Sequence, residues 1–167
     1  FGAGHVGRAL AAALAPLPLR VTWIDGRAHE FPEPPVAGVE VVVTDRLLAQ
    51  VEAAPAGSAC FVLTHSHSLD FTLCSAVLQR GDFAYLGLIG SRTKRVKFER
   101  GFAELGLPAA RVEAMACPIG GDRLRDKRPA VIAALATAEV LIALAGSQGS
   151  AGVQPKSADR AATERAA

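Results

Sequence analysis

Gly2, Gly4 and Gly7, in the run Phe-Gly-Ala-Gly-His-Val-Gly, fall in the G-x-G-x-x-G spacing. Eighteen residues after Gly7, Asp25 closes a β-branched run, Val21-Thr22-Trp23-Ile24. Each part has a mechanical job in holding a diphosphate. Gly2 permits a tight turn out of a strand, and Gly4 lets backbone approach phosphate with no Cβ between them. Gly7 lets the next helix pack closely on the sheet, and that helix's amino terminus offers free N–H groups. Asp25 stands where an acid accepts hydrogen bonds from a ribose. A glycine triplet alone is weak, but this one opens a helix-compatible stretch and is followed by a strand and an acid. The context favours a bound nucleotide or pterin phosphate over a purely structural strand–helix turn.

The motif also needs a strand in front of it. The reading therefore expects the start of that strand, and an upstream domain, ahead of Phe1, and it judges no targeting segment from this end.

The remaining composition narrows the class. The 167 residues suffice for one well-buried domain, and half of them are hydrophobic. A net charge of +2 and 5% aromatics give neither a basic footprint for nucleic acid nor a stacking platform for single strands. The three cysteines, Cys60, Cys74 and Cys117, are odd in number and far apart, which disfavours a disulfide framework and fits a reducing cytoplasm. The apolar segment Val131 to Ala145 is read as too short to span a bilayer, and it carries Glu139, so no membrane partner is expected.

Short apolar runs alternate with longer helical patterns. Strands are predicted over Arg20–Ile24, Val39–Val43, Ala59–Leu63 and Ala84–Ile89, and nearly continuous apolarity marks them as parallel and covered on both faces. Helices are predicted over Val6–Ala15, Arg46–Glu52, Leu69–Gln79, Thr93–Leu105 and Pro129–Ala145. Thr44-Asp45 and Ser66 to Ser68 supply N-caps, and Gly81 and Gly106 supply C-terminal caps. The alternation argues for a single α/β domain with a doubly wound parallel sheet over residues 1–145, followed by a polar tail from 146 to 167.

Such sheets deliver ligands at the carboxyl ends of their strands. Those ends carry the glycine loop with His5, then Asp25-Gly26-Arg27, then Thr64-His65-Ser66-His67-Ser68-Leu69-Asp70, then Gly90-Ser91-Arg92-Thr93-Lys94-Arg95. All four loops should rim one crevice. His65 and His67 can serve as two metal ligands with Asp70 a turn later, but no second ligand cluster accompanies them, so a phosphate or backbone contact is preferred. Gly90-Ser91 opening a helix with Lys94 and Arg95 is a second anion site, weighed against a solvated basic face. Cys117 lies on a further loop; nearby Arg123, Arg125 and Lys127 would favour its thiolate, against the reading of a packed structural turn. Cys60, Cys74, Trp23 and Tyr85 read as core.

In sequence order, Phe-Gly-Ala-Gly-His-Val-Gly-Arg-Ala-Leu, Val-Thr-Trp-Ile-Asp and Thr-His-Ser-His-Ser-Leu-Asp-Phe resemble the XdhC/CoxI family. Gly-Leu-Ile-Gly-Ser-Arg-Thr-Lys-Arg, Cys-Pro-Ile-Gly and Pro-Ala-Val-Ile-Ala-Ala continue the likeness to about Ala145. The resemblance implies a Rossmann-like domain of an accessory protein for xanthine dehydrogenase-type molybdenum hydroxylases. It further implies binding of molybdenum cofactor (molybdopterin) during sulfuration and insertion, with the hydroxylase apo-enzyme and a cysteine desulfurase as partners. One segment departs from the family pattern, since Gly121 to Arg128 is charged where a second glycine-rich turn is usual. The expected ligand contacts are Gly2, Gly4, His5, Gly7, Asp25, His65, His67, Gly90, Ser91 and Lys94, with no metal site and Cys117 as the one candidate for chemistry. The expected role is a non-catalytic cofactor chaperone. An NAD(P)-dependent oxidoreductase and a nucleotide-sensing module stay open as alternatives, as does assembly into a homodimer.

Overall fold

The computed structural model describes residues 1–121 and 126–148. Helix α1 (His5–Leu14) leads to β1 (Val21–Asp25), a 3-10 turn (Ala28–Glu30), β2 (Val39–Val43) and α2 (Leu47–Ala53). Then come β3 (Ala59–Val62), α3 (His67–Arg80), β4 (Tyr85–Leu88), α4 (Arg92–Glu104), α5 (Ala109–Glu113) and α6 (Pro129–Gln148). Each strand lies within one residue of its sequence expectation. The 3-10 turn and α5 were not anticipated, because three and five residues are too short to display a helical period.

β1 and β2 pair in parallel from Val21↔Val39 to Asp25↔Val43, and β3 and β4 from Ala59↔Tyr85 to Val62↔Leu88. A parallel bridge between Gly87 and Ala116 extends the second pair. The halves meet at Phe1, whose nitrogen donates to Phe61 O at 2.7 Å and whose carbonyl accepts from Leu63 N at 2.8 Å. Gly2 N completes the link to Ile24 O at 2.8 Å. The arrangement is a small Rossmann-like α/β domain.

Apolar residues collect on both faces, as parallel strands require. One cluster joins Val62, Leu73, Leu88, Phe98 and Phe102; the other joins Leu10, Leu14, Tyr85, Ile119, Ala136 and Val140. Cys60, Cys74, Trp23 and Tyr85 are buried, as read from the sequence.

Helix ends follow their side-chain chemistry. Ser66 Oγ accepts from Leu69 N, and Ser91 Oγ accepts from Lys94 N at 3.2 Å, so α3 and α4 cap themselves. Gly81 closes α3 at φ +67°, a left-handed conformation that costs glycine little. The cap expected at Thr44-Asp45 is corrected: Arg46 holds the N-cap of α2, and Thr44 Oγ1 accepts instead from Arg46 N at 3.1 Å.

A second correction concerns α6. It runs 20 residues, about 30 Å at the helical rise, so by length and composition alone it is sufficient to cross a bilayer. Here Ala133, Ala136 and Val140 bury against the domain. Glu139 accepts hydrogen bonds from Tyr85 Oη and Gly120 N, both at 2.9 Å. The tail beyond 148, and Asp122 to Arg125 with their expected influence on Cys117, lie outside the described residues.

Candidate functional site

Two of the three motif glycines are required by the fold, each for its own reason. Gly2 sits at φ +112°, and a Cβ there would lie 2.3 Å from Leu63 O. At Gly7 a Cβ would meet Gly2 O at 2.1 Å, so this glycine lets α1 close on its own loop. Gly4 is different: a Cβ there would meet nothing within 4 Å. The space ahead of Gly4 is open, and no side chain caps α1, unlike α3 and α4. The first-turn N–H groups of α1 therefore face that space without a side-chain acceptor among the described residues.

The neighbouring loops are tied to this one. Gly2 abuts Leu63 and Thr64, where β3 ends. Asp70, fully buried on α3, accepts from Thr64 N at 3.1 Å and from Thr64 Oγ1 at 2.7 Å. Lys94 Nζ donates to the same carboxylate at 2.5 Å and to Ile89 O at 2.8 Å. One buried ion pair thus fixes the loops after β3 and β4 relative to each other. Gly90 belongs to this contact, because a Cβ there would stand 2.7 Å from the Lys94 stem. Lys94, singled out as a candidate anion ligand, is committed to Asp70 and Ile89.

Around this frame four polar residues are exposed: His5 and His67 open α1 and α3, His65 lies on the loop after β3, and Ser91 is the N-cap of α4. Among the described residues, no group of three His, Cys, Asp or Glu side chains converges as a metal site.

Asp25 lies inward, only 6% exposed. Its Oδ2 accepts from Ala3 N at 2.7 Å and from Arg27 Nη2 at 2.8 Å. Its Oδ1 accepts from Arg27 N at 2.9 Å and Arg27 Nε at 3.0 Å. A carboxylate offers about four acceptor positions, and here four N–H groups fill them. Burial alone would raise the Asp25 pKa, but the bonds from Arg27 and Ala3 outweigh it and hold it at about 2. The acid placed for ribose recognition instead pins the glycine loop. Arg27 in turn pairs with Glu30 at 2.8 Å.

Cys117 is buried beside the start of α4. It is 6% exposed, with Sγ 4.0 Å from Ser91 O, and Arg95 Nη1 donates to its carbonyl at 3.4 Å. Burial pushes the thiol above its ordinary pKa, outweighing the downward pull of Lys94 and Arg95. This corrects the expectation of a favoured thiolate. The cations beside the sulfur come from α4.

Sequence reasoning noticed Asp70, Lys94, Arg27 and Arg95 but not their pairings. Buried polar partners distant in sequence leave no local signal; the nearest hint was an acid closing the histidine run.

An α/β domain with an open, uncapped helix terminus at its strand ends is the class that fold and site define. A family model for the XdhC Rossmann domain matches residues 1–140, and the chain belongs to that family. Among solved structures, the chain resembles one described as a xanthine dehydrogenase from Bacillus halodurans, with a TM-score of 0.69 and 19% identity. The match covers 95% of this chain and 43% of that one, so the chain spans less than half of that neighbour. At this identity the likeness concerns the fold. No curated protein sequence matches.

Proposed function

We propose that this domain is the cofactor-binding part of an accessory factor serving a xanthine dehydrogenase-type molybdenum hydroxylase. In this reading it holds molybdenum cofactor by its phosphate while a cysteine desulfurase sulfurates it, and then passes it to the apo-enzyme. The observation that carries the reading is the amino terminus of α1, with no side-chain cap and open space ahead of Gly4. A terminal phosphate fits there, accepting from N–H groups with the helix dipole in its favour. His5, His65 and His67, all exposed, are the donors this reading assigns to the pterin edge. When bound, the cofactor supplies the molybdenum chemistry, and the protein's part is to bind, orient and shield it.

The dinucleotide alternative is weaker because Asp25 has no acceptor position left for a ribose hydroxyl. Family membership supports an accessory role, and the name of the structural neighbour points to the same hydroxylase class. The test is retention: the protein is incubated separately with molybdenum cofactor and with NADH, then passed through gel filtration. Co-elution of the pterin alone supports the reading, and co-elution of NADH alone rejects it.

A further inference from the structure

An open groove of about 720 Å³ runs between α3 and α4. Its size falls within the ~300–1,000 Å³ of binding clefts. The floor is aromatic. Phe71 stacks on Phe102, with centroids 4.9 Å apart and an 11° tilt, and meets Phe98 edge-on at 5.3 Å. Phe98 and Phe102 are buried, whereas Phe71 is half-buried and lines the groove. Gly101 makes this possible, since a Cβ there would stand 2.7 Å from Phe71 Cε2. A glycine inside a helix is destabilising relative to alanine, and here it gives the Phe71 ring its place across α4.

The rim is cationic. Lys97 and Arg100 stand one turn apart on α4 and share a face of it. Both are exposed and line the groove, and neither makes a hydrogen bond or ion pair among the described residues. Their neighbours on α4 are engaged elsewhere, Lys94 with Asp70 and Arg95 with Glu99 at 2.7 Å. Helix α3 sets no free carboxylate opposite them, because its one acid, Asp70, is buried and paired. Among the described residues Glu104, one turn beyond Arg100, is the one acid lining the groove. Two unpaired cations beside an apolar, low-dielectric floor focus a positive field into it.

We propose that this groove docks an acidic segment of a partner protein, anchored by one aromatic or leucine side chain. Charge complementarity selects the occupant. Carboxylates of the segment pair with Lys97 and Arg100, while the anchor seats against Phe71 and over Gly101. From Lys97 to Glu104 the helix rises about 10 Å, the reach of about three extended residues. Glu104 gives the segment a direction, since a carboxylate placed there would meet like charge. The acidic end therefore lies toward Lys97, and an uncharged or basic residue lies toward Glu104. Two free cations and one acid make too short a track for nucleic acid, and a recessed floor suits an inserted side chain better than a flat bilayer. The inference rests on this groove alone and holds whatever ligand α1 binds.

The test selects a displayed library of random peptides, about twelve residues long, on the 167-residue chain and measures the enriched peptides by fluorescence anisotropy. Enriched sequences are expected to carry Asp or Glu beside an aromatic residue or Leu. They should bind the Lys97→Glu/Arg100→Glu variant at least about tenfold more weakly than wild type. Thr72→Trp keeps the charges but obstructs the groove, and should weaken binding by a similar factor. All three positions are exposed, so both variants should melt as wild type does. Enrichment of basic or neutral sequences, or of none that depends on the groove, would overturn the proposal. So would peptides that bind either variant as tightly as wild type, or that bind unchanged once the anchor is replaced by Ser. Phosphatidylserine vesicles form the last arm: cosedimentation abolished by the charge reversal would assign the patch to a membrane and overturn the proposal as well.

Discussion

Lys94→Met tests the frame that holds the crevice loops together. The substitution keeps the length and apolar stem but removes an ammonium whose side chain is 9% exposed and paired with the fully buried Asp70 carboxylate. Breaking one side of a buried pair leaves the other charge uncompensated, at a cost of about 3–5 kcal/mol. Asp70 keeps its two bonds from Thr64, so the lower end, about 3 kcal/mol, is expected. Asp70→Asn leaves the ammonium with Ile89 O and the Phe98 ring, 5.3 Å away, and should cost a similar amount. The double variant presents a neutral amide to a thioether and should lie within about 1–2 kcal/mol of wild type, giving a coupling of at least ~2 kcal/mol. Urea unfolding of the four proteins measures the cycle, provided that the slope against urea stays constant. Additive effects, or a Lys94→Met loss below ~1 kcal/mol, would refute the claim that this pair is buried and organises the site.

Three further outcomes are expected. Gly7→Ala should destabilise severely, because its Cβ meets backbone oxygen, whereas Gly4→Val should change stability by only about 1 kcal/mol or less; thermal melting compares them. The Asp25 carboxyl is more acidic when folded, so its contribution is present above its ordinary value near 3.8 and is lost as pH falls toward about 2. Allowing for solvent at its open edge, Asp25→Asn should remove about 1–2 kcal/mol at pH 7 and flatten the acid limb of stability against pH, as followed by urea titrations. Cys117, buried and with its thiol pKa raised, should react with iodoacetamide at pH 7 at least ~10-fold more slowly than free cysteine.

The residues whose roles were legible in sequence are those whose constraint is local. Gly2 and Gly7 answer to backbone sterics, and the apolar run of β4 answers to burial on both faces. Ser66 caps its helix three residues ahead of the N–H it accepts, as read from the sequence, whereas Ser91, read as a ligand contact, caps α4 in the same way. Asp25 was legible as a position but its internal partners were not, because they depend on how the loop folds back to bring Ala3 N within reach. Lys94 was read as an anion ligand, weighed against a solvated face, because nothing local in the sequence shows that its ammonium pairs with Asp70. Cys117 was read with cations nearby in sequence, while those that influence its sulfur, Lys94 and Arg95, stand more than twenty residues away. Burial outweighs them both.

The central claim is that the uncapped terminus of α1 anchors the phosphate of a pterin cofactor. Its most direct test is to purify the full-length protein from cells making molybdenum cofactor, release the bound small molecule and identify it by mass, for wild type and Gly4→Val. The account predicts molybdopterin from wild type and none from a folded Gly4→Val protein. Recovery of NAD or an adenine nucleotide in its place, or equal molybdopterin in both proteins, would contradict it.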